Sequence, residues 1–245
     1  MFSPIDSTAP SANQSVIEIE DLTIDRNRVL KLLKEIKMNK ASGPDGISAP
    51  VLKEIADVVT GPLFNIFNQS LKFGTVPDNW RHANITPIYK KGGRSKPENY
   101  RPISLTCIAS KVMGHIVTSH IMKFVEGNNL LYPKQHGFRA KLSCETQLVE
   151  LVTDIFKEHD NGKEVDECLL DFSKAFDNVS HAKLLAKMTS MEICDEQIAS
   201  WTAAFCRDRT QVVTLQRALF KPLSSYIWCP TGICNWAPSI LAVYW

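Results

Sequence analysis

Two periodicities in the apolar positions divide this chain into elements. Across 26–37, Val29, Leu30, Leu33 and Ile36 recur at helical spacing with lysines on the other face, which predicts an amphipathic helix. Further helices are expected over 48–58, 62–72, 110–126, 145–158, 181–189 and 195–205. In the helix of 145–158, Leu148, Leu151, Val152 and Ile155 share one face. Residues 84–90 and 100–106 read as strands joined by the polar loop 91–99. The run Cys168-Leu169-Leu170 predicts a buried strand ending on Asp171, and 211–215 predicts a last strand. Between the first two helices, Gly43-Pro44-Asp45-Gly46 has the residues of a tight turn. The first 25 residues, Ser/Pro-rich at their start, read as a flexible leader or linker. Helices alternate with few strands, so the fold class is α+β.

Composition narrows the picture only slightly. The chain has 245 residues, of which 44% are hydrophobic and 22% charged, enough for a sizeable core in one large or two small domains. The net charge of +2 does not mark a nucleic-acid binder, but its distribution is uneven. Arg81, Lys90, Lys91, Arg94, Lys96 and Arg101 fall within one short stretch, opposed by Glu98. The seven cysteines are an odd number without a C-x-x-C pair, so a reduced, intracellular protein is expected rather than a disulfide or zinc scaffold. Neither a signal-peptide core nor an apolar run of about 18 residues stands out, so a soluble protein without membrane partners is expected.

Three stretches carry candidate chemistry. An acid at the exposed end of a strand, Asp171, can hold a divalent metal against a phosphate chain. The aromatic five residues on, Phe176, can pack on a sugar, and Asp177 follows it. Two strands flanking a basic loop make a finger whose cations can fold over a triphosphate, with arginine suited to bidentate phosphate contacts. The third stretch is Gln135-His136-Gly137-Phe138-Arg139, followed by Ser143-Cys144-Glu145-Thr146-Gln147. His136 reads as a satisfied loop histidine rather than a catalyst. His115 and His120, five apart on one helix, have the wrong spacing for a shared metal. Trp201 and Phe205, four apart, read as helix core rather than base-stacking platforms.

In wording and spacing, Leu169-Leu170-Asp171-Phe172-Ser173-Lys174-Ala175-Phe176-Asp177 resembles motif A of the reverse transcriptases of non-LTR, LINE- or jockey-like retrotransposons. Tyr89-Lys90-Lys91-Gly92 with Asn99-Tyr100-Arg101-Pro102-Ile103-Ser104-Leu105 is similar to their fingers hairpin, and the Gly-Pro-Asp-Gly-Ile turn and the Gln135–Gln147 block match further family signatures. Group II intron reverse transcriptases are a more distant match to the same strings. The resemblance implies a right-hand polymerase fold that carries out templated nucleotidyl transfer with Mg2+, or Mn2+, on an RNA template, a DNA primer and dNTPs. It further implies a nuclear or cytoplasmic ribonucleoprotein. By that match Asp171 is the catalytic, metal-binding carboxylate. Lys90 or Lys91, Arg101, Phe172, Ser173, Lys174 and Ala175 would contact the nucleotide, with Phe176 against the sugar's 2′ carbon. Arg139 would lie near template phosphates, where Leu142 replaces a second basic residue usual in the family. The implied organisation is a fingers subdomain over 26–160 and a partial palm over 161–225.

The family pattern breaks after the stretch Arg207–Val213, since neither Ser-Gly-Val-Pro-Gln-Gly-Ser nor Tyr/Phe-Ala-Asp-Asp follows. After Lys221 there is no charged residue, and Trp228, Trp236 and Trp245 crowd the end. A one-nucleotide frame shift from Ile227 onward forces glycine at Trp228-Cys229 and again at Trp236-Ala237, because tryptophan has a single codon. Both glycines fall where the family has them. Residues 226–245 are therefore expected to be an out-of-frame tail on a partial palm that lacks the catalytic hairpin and thumb. Strands 168–171 and 211–215 would have unpaired edges, and the chain would fold poorly and be inactive. Alternatives are a non-catalytic nucleic-acid-binding remnant and a pseudogene product without a biochemical role.

Overall fold

A computed structural model describes residues 19–171, 179–190 and 193–215, together with the backbone of 218–219 and 223–224. Helices α1 (Arg26–Lys34), α2 (Ala49–Glu54) and α3 (Ala56–Phe73) come first. Strands β1 (His82–Tyr89) and β2 (Tyr100–Leu105), helices α4 (Ile108–Gly127), α5 (Cys144–Asp160), α6 (His181–Ser190) and α7 (Glu196–Cys206), and strands β3 (Thr210–Leu215), β4 (Ala218–Leu219) and β5 (Leu223–Ser224) follow. The architecture is α+β, with a helical body and a small mixed sheet.

Local chemistry starts most helices where the sequence places them. Asp25 caps α1, its carboxylate accepting from the backbone N–H groups of Asn27 and Arg28 at 3.2 Å each. Val29 and Leu33, one turn apart, then enter the core. Ser143 and Thr146 form a reciprocal capping box at α5, and Asp195 caps α7 through Ile198 N–H at 2.6 Å.

The break expected between the second and third helices, between residues 58 and 62, falls elsewhere. Ile55 ends α2 and begins α3, so one helix follows the other without a linker, and Pro62 lies inside α3. Proline removes the hydrogen bond to the carbonyl of Val58, a residue on the solvent side where water can take the vacant acceptor. The leader also differs from expectation at its end. Ile19, Leu22 and Ile24 are buried in the main core cluster.

That core lies among α1, α3, α4, α6 and α7. Six apolar side chains of α4 (Val112, Met113, Ile116, Val117, Ile121 and Val125) belong to it. Phe67 and Trp80 meet edge to face at 5.7 Å, and Trp201 and Phe205 stack at 4.9 Å, so both aromatics of α7 are core side chains as expected. The indole N–H of Trp201 donates to Ser70 Oγ at 2.9 Å, which satisfies a buried polar atom while joining α7 to α3. Arg209, at 1% exposure, donates to the carbonyls of Phe205 (2.9 Å) and Trp80 (3.2 Å).

In the sheet the order is β2-β1-β3-β4, with β5 also on β3. β1 and β2 are antiparallel, from Asn84 opposite Leu105 to Tyr89 opposite Tyr100. β1 and β3 are parallel, from His82 opposite Thr210 to Ile85 opposite Val213. The strand expected over 211–215 therefore does not stand with bare edges: β1 covers one side and β4 and β5 the other.

The strand expected over 168–171 does not form. Residues 163–171 carry no regular structure, and Leu169 and Leu170 are 83% and 80% exposed. A strand needs a ladder partner, and none of the described strands lies beside this run. Helix α5 is amphipathic as expected, yet none of its residues is buried, and Leu148, Val149, Val152 and Phe156 face solvent among the described residues.

Gly74 ends α3 in the left-handed region (φ 58°), where a β-carbon would lie 2.0 Å from Ser200 Oγ and 2.9 Å from Ser200 Cβ. Gly74→Ala should therefore destabilise the chain by about 2–4 kcal/mol, about 1 from backbone conformation and the rest from the contact with α7. In a Ser200→Gly background the penalty should fall to about 1 kcal/mol, measured by urea denaturation as a double-mutant cycle.

Candidate nucleotide and nucleic-acid site

The hairpin is built so that its cations reach solvent. Lys90 N–H donates to the Asn99 carbonyl at 2.8 Å, which extends the β1–β2 ladder by one step into the loop. Above it Tyr89 and Tyr100 meet edge to face at 5.6 Å. The Tyr89 hydroxyl donates to the Gly92 carbonyl and the Tyr100 hydroxyl to that of Arg94 at 2.9 Å. Asn99 Nδ2 donates to the Gly93 carbonyl at 2.7 Å. Gly92 (φ 88°) is required here, since a β-carbon would sit 2.7 Å from Asn99 Nδ2.

This scaffold leaves Lys90, Lys91, Arg94, Lys96 and Arg101 exposed, and none of them pairs with a carboxylate among the described residues. Arg94 lies over the Tyr89 ring at 5.2 Å. Arg101, opposite Ile88 in the register, stands on the hairpin face that also carries Thr86 and Asn84. The loop thus concentrates positive charge without neutralising it, an arrangement suited to phosphate oxygens.

The loop before α5 is held by a compact ion network. His136 is buried, with Nδ1 2.7 Å from Thr146 Oγ1 and Nε2 2.7 Å from Glu150 Oε2. It is the satisfied loop histidine that the sequence suggests. Lys134 reaches Asp154 at 2.5 Å, and that ammonium holds the Asp154 carboxyl below its usual range. Arg139 is half-buried, its NH1 near the carbonyls of Tyr132, Pro133 and Gln135 at 3.4 Å each. His115 and His120 remain separate: His115 contacts Ser119, and His120 meets the Glu20 carbonyl at 2.8 Å.

Asp171 is exposed at the end of the irregular 163–171 run. Phe172, Ser173, Lys174, Ala175 and Phe176 lie outside the described residues. Asp171 is a hard oxygen donor of the kind magnesium takes. Among the described residues, however, no cluster of three His, Cys, Asp or Glu side chains could hold a metal ion. The described residues therefore do not assemble a metal centre around it.

A feature the sequence reading missed lies at the root of the hairpin. Pro44, Asp45, Asn79, His82, Asn84 and Thr210 line a cleft of about 460 Å³. Its wall is the Gly43–Gly46 turn, closed by Gly46 N–H to the Gly43 carbonyl at 3.1 Å. The turn lies directly on the β2–α4 junction: a β-carbon on Gly43 would be 2.5 Å from Cys107 N and from Thr106 C. Burial and the neighbouring Asp45 carboxylate push the Cys107 thiol up to about 11, so it stays protonated at neutral pH. The available signal was the polar alternation of His82, Asn84 and Thr86, but the strand predicted over 84–90 leaves out His82.

A reverse transcriptase (RNA-dependent DNA polymerase) family profile matches residues 88–244, more than half of the chain. The chain belongs to that family. Among its relatives are RNA-directed DNA polymerases of non-LTR retrotransposons. It is 27% identical to the probable RNA-directed DNA polymerase from transposon BS of Drosophila melanogaster, over 66% of this chain and 18% of that protein. It is also 27% identical to the corresponding probable polymerase from transposon X-element of the same species, over 75% and 20%. The RNA-directed DNA polymerase from mobile element jockey of Drosophila funebris matches at 27% over 73% and 19%. The matched region spans about a fifth of the length of these relatives. The profile match extends to residue 244, into the uncharged tail. No helix among the described residues is long and apolar enough to cross a membrane.

Gly43→Ala should lift the turn from the β2–α4 junction. The expected result is a loss of about 2–4 kcal/mol in urea denaturation, the cost of forcing a methyl group into closed backbone. Gly46→Ala, with open space around it, should cost only about 1 kcal/mol from its positive φ.

Proposed function

We propose that this chain is the fingers (26–160) and partial palm (161–225) of a retrotransposon reverse transcriptase, able to bind RNA but not to polymerise as it stands. The observation that carries the reading is the hairpin of unpaired cations, Lys90, Lys91 and Arg101 among them, in a chain of this family. In the assembled polymerase Arg101 and one of Lys90 or Lys91 contact the incoming nucleotide, Phe172 to Ala175 seat its triphosphate, Phe176 checks the sugar and Arg139 meets template phosphate. The partners are an RNA template, a DNA primer and dNTPs, in a nuclear or cytoplasmic ribonucleoprotein.

Divalent ions, Mg2+ or Mn2+, would supply charge neutralisation at the attacking and leaving oxygens when bound. Asp171 would be one ligand of such ions. Further carboxylates are needed, and the sequence offers no Ala-Asp-Asp motif after Val213. A lone exposed carboxylate holds a divalent ion weakly, so the catalytic step is not open to this chain alone. Residues 226–245 are read as an out-of-frame tail.

Primer extension on an RNA template should give no incorporation with either metal, and incorporation abolished by Asp171→Ala would overturn this reading. Single-stranded RNA should bind with an affinity that falls steeply between 50 and 200 mM salt. Replacing Lys90, Lys91 and Arg101 together by alanine should reduce the log–log salt slope by about 2, at about 0.7 per phosphate contact. Absent or salt-insensitive binding would discard the binding role. For the tail, a one-base insertion or deletion ahead of the Ile227 codon, with an Ala-Asp-Asp motif in the shifted frame, is the expected finding in the DNA. An intact frame would reject it.

A further inference from the structure

We propose that the cleft between the Gly43–Gly46 turn and strands β1 and β3 takes one unpaired RNA base and reads its exocyclic amine with Asp45. The inference rests on the RNA-binding reading above and adds a base-specific contact to it.

Four observations converge. The cleft, about 460 Å³, is of ligand-pocket size and has ample room for a flat heterocycle. Its lining surface is mostly apolar, with Ala83 and Val212 beside Pro44, and the polar groups it does carry are ones that recognise base edges: a carboxylate (Asp45), two amides (Asn79 and Asn84), an imidazole (His82) and a hydroxyl (Thr210). Three of them are held in place before any ligand arrives. Asp45 Oδ1 accepts from Ile47 N–H at 3.3 Å, and His82 Nδ1 lies 2.5 Å from Thr210 Oγ1. The side-chain amides of Asn79 and Asn84, by contrast, have no hydrogen-bond partner among the described residues, which leaves donors and acceptors for a ligand.

The fourth observation is position. Strand alternation puts Asn84, Thr86 and Ile88 on the same face as Arg101, so a strand whose phosphate rests on Arg101 can run along β1 into the cleft. An ionised carboxylate can only accept hydrogen bonds. Asp45 therefore favours a base with an amino group on the facing edge, such as the N4 amine of cytosine, and disfavours uracil, which presents a carbonyl oxygen there.

The test compares oligo(C) and oligo(U) RNA 12-mers, two pyrimidine strands of equal charge that differ at this edge, by fluorescence anisotropy with the full chain at one salt concentration. The expected result is about tenfold tighter binding of oligo(C), in line with a single discriminating base contact. Asp45→Asn, which keeps an acceptor for the Ile47 N–H, should bring the two within about twofold by weakening oligo(C). Asn84→Ala should erode the preference in the same direction. The triple alanine variant of Lys90, Lys91 and Arg101 should weaken both strands equally. Binding of both oligomers without preference, or a preference that survives Asp45→Asn, overturns the base pocket and leaves RNA binding standing. If neither oligomer binds, the RNA-binding reading itself fails. Displacement of oligo(C) by free CMP at micromolar concentration would assign the cleft to mononucleotides and overturn its assignment to RNA.

Discussion

A buried guanidinium holds the sheet to the helices. Arg209 stands on the short link between α7 and β3, where its donors meet carbonyls at the end of α7 and at Trp80, just before β1. It also lies over the Phe205 ring at 4.7 Å, and that ring stacks on Trp201. Burying such a cation is costly unless carbonyls and an aromatic face replace water. Once they do, the guanidinium fixes where β3 begins relative to β1. Thr210 then donates its N–H to the Arg81 carbonyl at 3.1 Å, and the parallel register follows. Hairpin, turn and cleft all inherit their relative positions from this junction.

What the sequence discloses and what it hides follow from the range of the interactions concerned. The hairpin was legible because both strands, their antiparallel pairing and the basic loop lie within about two dozen consecutive residues. Helices with local caps, such as α1 behind Asp25, were legible for the same reason. The parallel contact of β1 with β3 was not, because nothing in either strand names a partner 128 positions away. The cleft was hidden with it, being made of a turn, a strand and a second strand that meet only in the fold. The joining of α2 and α3 was not legible either: Pro62 lies inside α3, tolerated because the hydrogen bond it removes faces water.

The candidate catalytic half is less complete than the nucleotide-contacting half. Cys168-Leu169-Leu170 has the composition of a buried strand, yet burial is a property of neighbours, and none of the described residues supplies a ladder or a cover. The same holds for α5, whose apolar side stays in solvent while ion pairs from Lys134 and His136 attach its polar side to the preceding loop. The run ending on Asp171 falls in the proposed palm part, whereas α5 closes the proposed fingers part. The main core, by contrast, is extensive, with α4 packed among α1, α3, α6 and α7.

The parallel pairing of β1 with β3 also sets a schedule for biosynthesis. During translation the hairpin can close as soon as β2 emerges, but its other edge must wait for the chain around Thr210. At ribosomal speeds of about 5–20 residues per second, the 105 positions from Leu105 to Thr210 correspond to a wait of roughly 5–21 s. Through that interval the nascent hairpin presents an open strand beside a cluster of cations, in a cell full of other unfinished chains. Its charges, which repel like hairpins, then protect the edge until β3 arrives.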